Sequence, residues 1–199
     1  MDSHFRNNVM VVGSLKAKIV PMKFYIDKDV KEAYNEIKAN PKYKKADLVF
    51  LDSKLVFGCE HIAGIMKILS ERKKRNIVSH IKNIEIEFLL RVCCTDQINE
   101  ALKVNFGDKS NKDFVIIIIS DDDHIFEEFE RDFAMYGHLD YENVSQTEIK
   151  DLIAADTYKR DYIIEKFFRE KIKDKNSTVL NSNDEFLKFL VERAAISLA

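Results

Sequence analysis

The stretch from Ile84 to Gly107 constrains this chain more than any other segment, because it reads as a complete structural unit. Ile84, Ile86 and Phe88 alternate with Glu85 and Glu87, and Leu89 and Leu90 then make the pattern continuously apolar. Alternation that passes into an unbroken apolar run is what a strand shows when it enters a core from a wet margin. The expectation is a strand whose two glutamates share a solvated face. Thr95 or Asp96 then supplies a short side-chain oxygen that can accept from the free N–H groups of a first helical turn. Ile98, Ala101, Leu102 and Phe106 fall on one helical face, and Gly107 is placed to end that helix in a left-handed conformation.

Around this unit the pattern alternates. Residues 1–8 are polar and read as a frayed end. Val9 to Val12 and Leu15 to Ile26 read as an extended pair about Gly13-Ser14, with Pro21 pushing the second run to an edge or a bulge. Asp27 is positioned to cap a helix carrying Val30, Tyr34 and Ile37, which Asn40-Pro41 ends. Leu48 to Leu51 is a short buried strand. Asp52 or Ser53 opens a helix with Ile62, Ile65, Met66 and Leu69 inward, running out into Glu71-Arg72-Lys73-Lys74-Arg75. Phe114 to Ile119, β-branched and uninterrupted, reads as a central strand buried on both faces.

Ser120 to Asp123 opens a helix with Ile125, Phe126, Phe129 and Phe133 inward, stopped by Gly137. Ser145-Gln146-Thr147-Glu148 and Ser182-Asn183-Asp184-Glu185 each have capping-box form. The first leads into Ile149, Leu152 and Ile153, and the second into the last helix. Between them lie a helical pattern through Tyr162, Ile163, Phe167 and Ile172, and a polar loop over 173–181. The sum is one α/β or α+β domain spanning 1–199, a small central mixed sheet surrounded by helices, with a helical C-terminal part.

The 199 residues are 46% apolar and 33% charged, with a net charge of −2. Such a chain can bury a core, and no global basicity argues for nucleic acid, so any RNA contact must be a local patch. Three cysteines, Cys59, Cys93 and Cys94, two of them adjacent, suit packing in a reducing compartment. The longest apolar run is far too short to span a bilayer, and the start lacks a secretion-signal pattern. The expectation is a cytoplasmic protein with no membrane contact.

Catalytic constellations are not visible. Gly58 and Gly64 lack the company of a phosphate loop, and His4, His61, His80, His124 and His138 form no ligand set. Asp121-Asp122-Asp123 precede an apolar helix and read as caps and dipole partners. Cys59 and His61 are two apart on a helix and point to different sides, which leaves His61 a structural or surface histidine. The expectation is a non-enzyme with no catalytic residue, metal or cofactor. Two features could bind. In the last helix Leu187, Leu190, Val191, Ala194 and Leu198 form a stripe, while Phe186, Phe189 and Ile196 lie elsewhere on the circumference. Apolar surface beyond one face suggests a second partner. The other feature is basic: Arg72, Lys73, Lys74, Arg75, Lys82 and Arg91 could meet phosphate.

Glu87-x-Leu89-Leu90-Arg91, followed by Gln97-Ile98-x-Glu100-Ala101-Leu102-Lys103 and a glycine, resembles the small kinase-binding subunit of the KEOPS complex, the TPRKB-like family of eukaryotes and its archaeal relatives. Leu55-Val56-Phe57-Gly58-Cys59-Glu60-His61 is similar to the segment before that family's corresponding helix. The likeness covers about Leu48 to Ile119, with the last helix also similar. It implies a regulatory subunit that binds and stimulates an atypical kinase acting as an ATPase, and helps recruit tRNA through its CCA end. KEOPS transfers a threonylcarbamoyl group to the adenosine beside the anticodon, and other subunits would be met indirectly. The resemblance also implies that Glu185 to Leu198 belongs to the kinase-facing surface, and that the protein works in the cytoplasm, and also in the nucleus if eukaryotic. Two other readings remain open: a small-molecule enzyme with its site at the strand ends, and a homo-oligomer using its last helix on itself.

Overall fold

Phe114 to Ile119 does become an interior strand, and the layers are arranged around it. In the computed structural model, described over residues 4–6, 9–25, 27, 29–77, 81–139, 153–169 and 182–198, β5 (Asp113–Ile119) lies between β3 (Leu15–Phe24) and β4 (Asp47–Asp52). The described sheet continues outward from β3 through β2 (Val9–Val12) to β1 (His4–Arg6), and a short β6 (Gly137–Leu139) also pairs with β3. Every pairing is antiparallel. The α/β class stands, but the sheet is antiparallel rather than mixed. Alternating strands and helices suggest parallel crossovers, whereas here the chain returns on itself between neighbours.

The hairpin from β2 to β3 turns at Gly13, whose φ of +58° is the left-handed region that glycine enters without strain. Pro21 does not make β3 an edge strand. It lies opposite Val115 of β5, while on its other flank β2 covers Leu15 to Lys18 and β6 covers Met22 to Phe24. Proline, which has no N–H to donate, occupies the interval between those two partners.

Side-chain alternation divides the core. Val115, Ile117 and Ile119 of β5, with Val49 and Leu51 of β4 and Ala17 and Ile19 of β3, meet α2 (Cys59–Lys74) and α3 (Ile84–Val92). Phe114, Ile116 and Ile118, with Leu48, Phe50, Val20 and Met22, meet α1 (Val30–Ala39) and α5 (Asp123–Phe133). A sheet covered on both faces explains why β5 carries no polar alternation.

Local caps place the helices. α1 is capped by Asp29 rather than Asp27, its carboxylate accepting from Lys31 and Glu32. Asp52 caps a 3-10 turn (Ser53–Leu55), and α2 follows from Gly58, whose φ is +86°. Asp122 caps α5 through the His124 N–H, and Asp123 lies in its first turn. α5 ends at Phe133, and Gly137 instead opens β6.

The segment expected to be a strand, Ile84 to Leu90, is a helix. Asn83 caps α3, its Oδ1 accepting from Glu85 N at 2.9 Å and Ile86 N at 3.1 Å. Glu87 and Arg91, one turn apart, pair along it. The helix is enclosed on nearly every side, so its sequence has no polar face to betray a 3.6-residue period. The next helix, α4 (Ile98–Phe106), starts at Gln97 with no side-chain cap; Thr95 Oγ1 accepts from Gln97 N just outside it. Gly107 ends α4 in a right-handed conformation, with φ −75°, and not the left-handed one expected.

Beyond the sheet, α6 (Thr157–Ile163) runs into a π-helical turn (Ile164–Phe168), and α7 (Asn183–Ile196) is capped by Ser182, whose Oγ accepts from Glu185 N. Phe57, Cys94, Ile163, Phe168, Phe186 and Leu190 form a third cluster that seats both helices. The expected capping box at 145–148, the residues Ile149, Leu152 and Ile172, and the loop 173–181 lie outside the described residues.

Candidate functional site

α7 is fixed by one stripe. Phe186, Leu190 and Ala194, spaced four apart, have no exposed surface, and the Phe186 ring stands edge-on to Phe57 at 5.0 Å. Across from them, Gly64 of α2 makes room for Val191: a Cβ at that glycine would lie 2.6 Å from Val191 Cγ2. Close backbone approach, made possible by a missing side chain, brings α2 and α7 together.

Beside this contact lies a groove of 470 Å³, with Gly64, Ile68, Ile77, Val191, Ala195 and Leu198 as its apolar lining. Lys67, Glu71, Arg72 and Arg75 form its margin, and Arg91 closes it from beneath. Ile77 is 55% exposed and Ile196, on the same terminal helix, 61%.

A charged network fixes the three helices around the groove. Glu87 is wholly buried. Its Oε1 accepts from Arg91 Nε at 3.0 Å and Nη2 at 2.8 Å, and its other oxygen is ion-paired with Arg72 of α2. Arg91 Nη1 also donates to the carbonyl oxygen of Ala194 in the last turn of α7. A buried carboxylate is tolerable because two guanidiniums face it.

A second hollow, of 400 Å³, shares Arg72 and Ile77 with the groove and is lined further by Leu15, Leu69, Lys73, Asn76, Lys82 and Ile84. The apolar groove and the basic patch are therefore neighbours on one surface.

The expected residues divide accordingly. Of the apolar stripe, Leu187, Val191 and Leu198 are half-buried, with Val191 and Leu198 lining the groove, whereas Leu190 and Ala194 face the protein's own core. Of the basic set, Lys73, Lys74, Arg75 and Lys82 are exposed. Arg91 does not belong with them: it is 3% exposed and engaged with Glu87 and α7. Arg72 is partly covered and joined to Glu87. Ile68, Ile77 and Lys67 carry no signal of this role in the sequence. A glycine inside an apolar helix, Gly64, was the available sign that another backbone approaches.

The glutamates of α3 are likewise not solvated. Glu85, 4% exposed, accepts from Leu48 N and from Tyr34 OH at 3.2 Å, and it is ion-paired with Lys38. Asn105 of α4 donates to Phe50 O at 2.8 Å and accepts from Asp52 N at 2.9 Å. These two side chains bond three backbone groups of β4, Leu48 N, Phe50 O and Asp52 N.

Among the buried titratable groups with displaced pKa values are His61 and Asp52. His61 is 1% exposed, its Nδ1 accepts from Phe57 N at 3.3 Å, and its Nε2 has no partner. Burial lowers its pKa to about 4. Asp52, also 1% exposed, is pushed up to about 6 by burial, against the opposing pull of the Lys54 N–H and side-chain charge. A cleft of 640 Å³ between α1 and α4 is lined by Lys31, Asn35, Asn99, Lys103, Phe106 and Lys109 among others. Among the described residues no group of three or more His, Cys, Asp or Glu side chains is placed to hold a metal ion, and no helix is long and apolar enough to cross a membrane.

Compared with protein-family profiles and with curated protein sequences, the chain matches none.

Proposed function

We propose that this chain is a non-catalytic regulatory subunit of a KEOPS-type assembly, which binds and stimulates the atypical kinase/ATPase and helps bring tRNA for threonylcarbamoyladenosine formation. The resemblance of the Leu48 to Ile119 region suggests the assembly. The observation that carries the reading is the adjacency of an apolar groove and a basic patch sharing Arg72 and Ile77. One surface of this kind suits a subunit that touches two macromolecules at once. Val191, Ala195, Leu198 and Leu187 serve the kinase, and Lys73, Lys74, Arg75 and Lys82 serve the tRNA, in the cytoplasm or nucleus. Stimulation follows if the groove binds the active kinase conformation more tightly than the inactive one.

The test uses Ala195→Glu and Leu198→Glu, because Leu190→Glu would place a charge in the core and Val191→Glu would press one against Gly64, and both would report on folding. Each should melt as a cooperative domain yet fail to co-purify with the kinase. Lys73→Glu with Lys82→Glu should keep the kinase and lose tRNA, as should wild-type protein offered tRNA without its CCA end. Kinase capture that survives both groove variants overturns the reading. Light scattering separates the homo-oligomer alternative, since a monomeric chain excludes it.

A further inference from the structure

We infer that the groove between α2 and α7 receives an amphipathic helix whose aliphatic stripe is flanked by carboxylates. The inference rests on the groove being the kinase-facing surface of the proposed function only for which protein supplies that helix. The chemistry follows from the groove itself.

Among the described residues its apolar lining is aliphatic and small, with no aromatic side chain: Gly64, Ile68, Ile77, Val191, Ala195 and Leu198. Such a channel takes Leu-, Val- or Ala-sized knobs, as one helix offers when it packs between two others. Along α2 it extends from Gly64 to Arg75, roughly 16 Å or about three turns at 1.5 Å per residue. A partner presenting three successive turns fills it.

Charge selects the partner further. Lys67, Arg72, Arg75 and Arg91 bound the groove, against Glu71 at its edge and Glu87 beneath it. Glu87 already holds Arg72 and Arg91, and Glu71 lies 3.5 Å from Arg75 on the same helix. Lys67 and Arg75 remain exposed on the α2 margin. A helix with lysines beside its stripe would meet like charge there. One with glutamates or aspartates would meet opposite charge, which raises association rate and selects register more than it adds affinity. The buried Glu87 network keeps this polarity fixed, since Arg72 and Arg91 cannot leave without exposing an unpaired carboxylate.

The experiment offers the full-length chain two labelled designed helical peptides of about 18 residues, long enough to hold a helix. They share a Leu/Ala stripe and differ only in Glu or Lys flanks, and anisotropy reads binding. The Glu-flanked peptide should bind about tenfold more tightly than the Lys-flanked one, a preference of the order that paired rim charges supply, and that should shrink with salt. Ala195→Glu, at an exposed position of the lining, should abolish binding of both. Lys67→Glu with Arg75→Glu should invert the preference, a reversal that simple misfolding could not produce. Equal binding of the two peptides, or binding untouched by Ala195→Glu, overturns the inference. So does self-association of the chain that Leu198→Glu dissolves and the peptides cannot compete with, or displacement of the Glu-flanked peptide by a short RNA that persists in Lys73→Glu with Lys82→Glu. A kinase that fails to bind while the Glu-flanked peptide does sinks the proposed function and leaves this inference standing. A kinase lost on Ala195→Glu but indifferent to Lys67→Glu and Arg75→Glu, with no preference between the peptides, does the reverse.

Discussion

His61 and Asp52 are buried to the same degree, yet acid acts on them in opposite directions. His61 titrates near 4 in the folded chain, below the ordinary histidine value of 6.5. Between those values the unfolded chain holds the extra proton, so stability falls as pH drops, by roughly 3 kcal/mol in full. Asp52 titrates near 6, above its ordinary 3.8. Between those values the folded chain holds the extra proton, so its contribution grows as pH drops and is lost as pH rises through 6. The two slopes oppose each other between about pH 4 and 6. Asp52→Asn should therefore make chemical denaturation midpoints fall more steeply below pH 6.5, while His61→Asn, whose Oδ1 can still accept from Phe57 N, should flatten or reverse that fall. Parallel profiles in the two variants would contradict the assignment. Neither displacement was legible in the sequence, and Glu85 and Glu87 were misread for the same reason. An acid in an alternating run looks solvated until the cations and N–H groups that surround it, from α1, β4 and α2, are brought there by folding.

At the scale of elements, legibility followed how each segment is buried. β5 announced itself because a β-branched run without polar residues has few alternatives, and α1, α2, α5 and α7 because each keeps a distinguishable wet face. α3 did not. Enclosed on nearly all sides, it shows no helical period, and its apolar positions happened to alternate over the first turns. Asn83 before the run and the Glu87–Arg91 spacing were the local signs that pointed to a helix. The contact of α2 with α7 depends on one absent methyl. Gly64→Ala should lower stability by about 1–3 kcal/mol through overpacking against Val191, and Val191→Ala added to it should recover most of the loss. The readout is the urea midpoint of the single and double variants. Additive effects would show that the two residues do not meet.

For the whole molecule, the class and the single-sheet architecture could be read in advance, while strand direction could not, because chain reversal is encoded in connections rather than in strands. The candidate surface was half legible: the exposed basic residues at the end of α2 were, but the groove was not, since it exists only where two distant helices converge. If the patch binds single-stranded RNA through Lys73, Lys74, Arg75 and Lys82, affinity should fall with salt, and each lysine neutralised should reduce the slope of log affinity against log salt by about 0.7. A slope unchanged in Lys73→Gln with Lys82→Gln would place the RNA elsewhere. The edge of β4 carries a consequence of another kind. Glu85 and Asn105 occupy hydrogen-bonding positions that a neighbouring strand would otherwise take. Two polar side chains thereby stand guard against fibril-like stacking of one copy upon the next, and a conservative-looking loss of the Asn105 amide would first be noticed as turbidity in a concentrated sample.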